Sequence, residues 1–113
     1  MMNSSNSRVL RKVPRENTFY FFTSIGNYTG ENAASLEEFV RKIKEVDAKS
    51  LEFHLYRGDF EKWVAETLGD EELAEKIRSL KSLSPTGSSL RNQLYLIVSK
   101  RYEKLKGEFS SCA

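Results

Sequence analysis

The chain reads as an all-α protein, a compact bundle of about five helices with an extended aromatic segment near its N-terminus packed on it. Three observations carry this. Apolar residues recur at helical spacing through most of the sequence after residue 35. Helix-starting residues, among them Ser35, Asp47, Asp59 and Asp70, stand directly before those stripes, and Gly58 and Gly69 stand directly after two of them. No repeat divides the 113 residues, so one hydrophobic core is expected.

Residues 1–17 are rich in Ser, Asn and Arg and read as a flexible basic arm. Thr18 to Ile25 follows, with Phe19, Tyr20, Phe21 and Phe22 in succession, too apolar for a solvated loop and biased toward a strand. A lone strand needs a ladder partner. This one either lies extended over the helices, pairs with Arg8 to Val13 in a hairpin, or pairs with a second chain. Gly26 to Ala34, with two glycines, reads as a loop.

Ser35 with Glu38 forms a capping box and opens the clearest helix, whose stripe is Leu36, Phe39, Val40, Ile43 and Val46. Asp47 then starts a segment through Arg57. Leu51, Phe53 and Leu55 alternate as in a strand, but the length and the flanking helices favour a helix. Gly58 ends it, and Asp59 caps a helix with Phe60, Trp63, Val64 and Leu68 inward, stopped by Gly69. Asp70 caps the next, carrying Leu73, Ala74, Ile77 and Leu80. After a break around Pro85 and Gly87, a longer helix runs from about Ser89 to Lys106 with Leu90, Leu94, Ile97, Val98 and Leu105 on one side. The domain therefore spans residues 18–106, and residues 107–113 read as a flexible tail. Phe39, Ile43, Trp63, Leu73, Ile77, Leu94 and Ile97 are the expected core.

The stretch from Ser35 to Ala74, with HLYRGDFEKW and LGDEELA, resembles a family of uncharacterised, largely archaeal proteins that share a spaced His, Asp-Phe, Trp and Leu-Ala pattern. The matching positions are His54, Asp59, Phe60, Trp63, Leu73 and Ala74. The resemblance covers most of residues 18–105 and implies no reaction or ligand.

A hydrophobic content of 39% with 30% charged residues excludes a disordered chain. No run approaches the eighteen apolar residues of a membrane span, and no signal-peptide stretch opens the sequence. The sole cysteine, Cys112, can make no internal disulfide, so a cytoplasmic home is expected and the Asn27-Tyr28-Thr29 sequon carries no weight. The net charge of +2 is unevenly placed: +3 over residues 1–30 (four basic, one acidic), −5 over 31–80 (eight basic, thirteen acidic) and +4 over 81–113 (six basic, two acidic). Basic ends around an acidic middle suit self-association as well as a nucleic-acid surface.

Five candidate sites follow. His54, the only histidine, stands five residues before Asp59 and could form an acid–base pair with it, although a cap and a structural histidine explain both residues as well. The Arg57-Gly58-Asp59 tripeptide is accounted for as a helix stop and cap. Gly87, Ser88, Ser89 and Arg91 could form an anion-binding turn at a helix start, with no Gly-Lys-Ser/Thr to make a nucleotide loop. Arg91, Lys100, Arg101 and Lys104, aided by Arg8, Arg11, Lys12 and Arg15, could lie along nucleic-acid phosphate. Phe19, Tyr20, Phe21 and Phe22 form a candidate interaction segment. One histidine, one terminal cysteine and the crowded Asp70, Glu71 and Glu72 supply no metal set, and no cofactor is expected. The leading expectation is a non-enzymatic module that binds a partner protein or itself, ahead of nucleic-acid binding and of an enzyme or small-ligand binder built on His54 and Asp59.

Overall fold

The computed structural model describes the backbone of residues 4–111 and the side chains of residues 7–107. It is a helical bundle carrying a β-hairpin. In chain order the elements are α1 (Ser4–Leu10), β1 (Phe19–Ser24), β2 (Asn27–Ala33), α2 (Leu36–Glu45), α3 (Ala48–Arg57), α4 (Asp59–Lys62), α5 (Glu71–Leu80) and α6 (Gly87–Ser111). α4 continues without a break into a π-helical stretch, Trp63–Leu68.

The aromatic segment finds its ladder within the chain, but not where the sequence suggested. β1 pairs antiparallel with β2, the stretch read as a loop, in a register that sets Phe19 opposite Ala33 and Phe22 opposite Tyr28. Gly26, at φ +79°, closes the two-residue turn through Ile25. β2 hides its strand character because it lies outermost. Its residues are exposed or half-exposed until Ala33, so no apolar alternation was needed. Phe19 and Phe21 point inward and are buried, while Tyr20 faces out.

The N-terminal arm is also corrected. Ser4–Leu10 is helical, and Val9 and Val13, four residues apart, are both buried in the common core. Two further contacts dock it: the Val13 amide donates to the Ala34 carbonyl at 2.7 Å, and the Arg11 guanidinium donates to the Thr67 carbonyl at 2.8 Å. At the other end α6 passes through Gly107 to Ser111, so residues 107–111 continue the helix where a tail was expected; Cys112 lies outside the described residues.

Most of the caps follow the sequence. Ser35 Oγ accepts the Glu38 amide at 3.2 Å, and Glu38 reaches back to the Ala34 amide at 2.8 Å. Asp47 accepts the Lys49 amide, and Asp70 accepts the Leu73 amide. The segment after Asp47 is helical: Leu51 and Leu55 lie one turn apart on the buried face, and Phe53 projects to the side. Asp59 departs from expectation. The cap position belongs to Gly58, left-handed at φ +81°, and the Asp59 carboxylate turns back toward α3.

α6 runs through the centre of the bundle and touches α1, α2, α3 and α5. Leu90, Leu94, Val98 and Leu105 on its inner face meet Leu36, Phe39, Ile43, Leu51, Leu73 and Ile77 in one core, with Ile97 only partly buried at its margin. Among the described residues no helix is long and apolar enough to cross a membrane. The hairpin packs on α2 and α3, and its contact with α3 frames the main cleft.

Candidate functional site

The cleft, of about 520 Å³, opens between β1 and its turn on one side and α3, α4 and the π-helical stretch on the other. Phe19, Phe22, Phe53 and Trp63 give it aromatic walls, and Arg57, Asp59, Lys62 and Glu66 stand among the remaining lining residues. Local sequence explains the arrangement. Phe53 and Arg57 are one turn apart on α3, which brings the guanidinium carbon over the Phe53 ring at 4.9 Å from its centroid. The Trp63 indole N–H donates to the Asn17 carbonyl at 2.8 Å, anchoring the ring where the chain enters β1. At the end of the π-helical stretch the Gly69 amide reaches Val64 O, five residues back, and Gly69 at φ +85° stops the helix.

His54 sits at the back of this cleft, 4% exposed, with Phe19 and Phe53 ring centroids 4.8 Å and 4.9 Å away. Its Nε2 accepts the backbone amide of Phe22 at 2.8 Å, so that nitrogen carries no proton. Nδ1 then bears the hydrogen and donates it to Asp59 Oδ2 at 2.8 Å. Burial lowers the histidine below its ordinary value, Asp59 recovers part of that shift, and Arg57 adds slightly to it. The ring is neutral and both nitrogens are engaged. It joins β1 to α3 and α4, with each nitrogen holding a partner from a different element.

Asp59 Oδ2 also accepts from Arg57 Nε at 3.1 Å. The carboxylate thus serves a histidine and an arginine at once. His54, Arg57 and Trp63 share one cleft, and His54 and Asp59 meet as a hydrogen-bonded pair in its wall.

The other candidate residues are placed differently. The Gly87 amide, central to the expected anion turn, already donates to Glu52 Oε2 at 2.8 Å, and Gln93 donates to Ser89 Oγ at 2.9 Å; Ser88 stays exposed. A carboxylate from α3 therefore occupies the position an anion would take. Arg91 turns away from the turn and donates to the Lys44 and Val46 carbonyls at 3.0 Å and 2.6 Å, closing the end of α2. Arg101 binds Asp70 through two nitrogens, at 2.7 Å and 3.2 Å, and Glu72 at 3.1 Å. Lys100 and Lys104 remain exposed on α6, but the four-residue basic face is halved. The acidic start of α5 has the same explanation: Asp70 is a cap and an arginine partner. Among the described residues no three His, Cys, Asp or Glu side chains gather to hold a metal ion.

The aromatic interaction segment divides by face. Phe19 and Phe21 belong to the core, Phe22 is half-buried, and Tyr20 is exposed beside Tyr28, its ring centroid 5.7 Å away. Ile25, 84% exposed, stands at the turn on the cleft's edge. Phe53 and Lys62 were missed as site residues. The i, i+4 spacing of Phe53 and Arg57 was a readable signal, whereas nothing local relates Lys62 to the hairpin.

No curated protein and no solved structure matches this chain. A family model does, over residues 14–111, and the chain accordingly belongs to that family, a family of unknown function (DUF5752).

Proposed function

We propose that this chain is a non-enzymatic protein-interaction module, and that the cleft together with the outer face of the hairpin is where its partner sits. The observation that carries the reading is the engagement of both His54 nitrogens beneath an aromatic cleft. The sole histidine serves the wall, and the surface it supports is built of rings suited to contact. Tyr20 and Ile25 on the cleft's rim are exposed, and Tyr28 extends this apolar surface past them. The alternative, nucleic-acid binding through the basic ends, has fewer side chains to work with, since Arg91 and Arg101 make internal contacts.

The resemblance adds two expectations, a largely archaeal family and a shared pattern at His54, Asp59, Phe60, Trp63, Leu73 and Ala74. Those six positions support the hairpin and the helices behind it rather than a reaction. A cytoplasmic home is our reading of a chain with a single cysteine.

The test compares variants that keep the fold. Tyr20→Ala and Arg57→Glu should retain the wild-type unfolding midpoint to within a few degrees yet lose the partner, or the dimer, detected by native mass and co-purification. Lys100→Glu with Lys104→Glu should keep it. A strictly monomeric wild type at high concentration with no specific partner contradicts the proposal. Salt-sensitive nucleic-acid binding lost in the double lysine variant favours the alternative.

A further inference from the structure

We infer that the cleft takes a peptide segment in which an aromatic side chain stands next to a carboxylate, with Arg57 as the receptor for the acid. The inference rests on the interaction reading and adds the chemistry of the partner. Arg57 is held in two ways: Nε is tied to Asp59 at 3.1 Å, and the guanidinium lies over the Phe53 ring at 4.9 Å. Its two terminal nitrogens make no hydrogen bond among the described residues. A guanidinium oriented at one edge and over one face, with the remaining N–H pair free, is already shaped for a planar carboxylate. Little side-chain freedom is left to lose on binding, which favours affinity.

The open donors around the cleft point the same way. Arg57 and Lys62 stand against Asp59 and Glu66, but Asp59 Oδ2 is already shared by His54 and Arg57. Lys62 makes no ion pair among the described residues. Arg57 and Lys62 thus both keep open donors in a cleft whose two cations and two carboxylates balance. Beside them the Phe22, Phe53 and Trp63 rings offer an apolar berth, in a volume typical of ligand sites, roughly 300–1,000 Å³. Tyr20 and Ile25 form its exposed rim, and Tyr28, beside Tyr20, continues the surface beyond the cleft, which a peptide covers and a free small acid does not.

Trp63 is the only tryptophan and lines the cleft, so its fluorescence reports occupancy of the full-length protein directly. The probes are end-blocked tetrapeptides containing Phe-Asp, Phe-Asn or Ala-Asp. The Phe-Asp peptide should shift the emission saturably, and the Phe-Asn and Ala-Asp peptides should bind about tenfold or more weakly, as loss of a charged hydrogen bond or of an aromatic berth implies. Arg57→Lys should weaken Phe-Asp binding, because an ammonium lacks the fork, and Arg57→Gln should erase most of the preference for Asp over Asn. Glu66→Gln should tighten Phe-Asp about two- to threefold by removing an exposed like charge. Equal binding of the Asp and Asn peptides, or a preference that survives Arg57→Gln, overturns the inference. Binding of free 3-phenylpropionate without binding of any blocked peptide overturns it in favour of a small acid. If no peptide binds while Tyr20→Ala and Arg57→Glu still lose the protein partner, the partner chemistry falls and the interaction reading stands.

Discussion

His54 is the side chain on which two functional readings turn. A histidine five residues before an aspartate is a fair sign of a pair, and the pair exists at 2.8 Å. What sets its role is the Phe22 amide, which reaches Nε2 from 32 residues away and is invisible to any local reading. The arrangement has a pH signature. The folded protein holds His54 below the ordinary histidine value near 6.5, chiefly by burial, so above that value its contribution to stability is complete. As pH falls below about 6.5 the unfolded chain binds the proton first, and stability drops until the folded-state value is passed. Asp59 and Arg57 are the charged groups facing the ring; its other neighbours are phenylalanines. Thermal midpoints should therefore fall between pH 7.5 and 5.5, and His54→Gln, which retains an acceptor for the Phe22 amide, should flatten that slope at some cost at pH 7.5. An unchanged slope in the variant would remove His54 as the titrating group.

At the scale of elements, punctuation was legible and pairing was not. Ser35, Asp47 and Asp70 cap helices because a short side-chain oxygen beside the first turn has an unsatisfied amide within reach, and that is a local fact. Asp59 has the same chemistry but found a better partner in His54, which depends on how α3 and α4 meet. β2, Asn-Tyr-Thr-Gly-Glu-Asn-Ala, carries little strand propensity and owes its state to pairing with β1 and packing on α2. Gly69 offers a test of the junction behind the cleft. It lies in the left-handed region at φ +85°, and a Cβ there would meet the Arg8 guanidinium at 2.8 Å. Gly69→Ala should cost about 1–2 kcal/mol for the backbone alone, read as a lower midpoint in chemical denaturation. A neutral result would mean that neither the turn nor the docking of α1 is as tight as described.

For the whole molecule, the bundle was readable because helical stripes over some seventy residues leave little choice of architecture. The N-terminal segment was not, since seven polar and basic residues surround the two valines that dock it. Deleting residues 1–13 removes the burial of Val9 and Val13 and should destabilise the protein by about 3–5 kcal/mol, where a detached arm would leave unfolding unchanged. The opposed charges of ends and middle are also partly resolved within the fold. Arg101 pairs with Asp70 and Glu72, and Lys12 approaches Glu38 at 3.9 Å, so these contacts need no second copy. On the interaction reading we propose, that shifts the weight of recognition from charge asymmetry to the aromatic cleft.

The most direct measurement of that claim is site-specific photo-crosslinking in the native host, with a benzophenone side chain placed at Phe53 in the cleft wall or at Leu96, 58% exposed on α6. The account predicts a discrete protein adduct from position 53, abolished by Arg57→Glu, and none from position 96. An adduct from position 96 alone would contradict it.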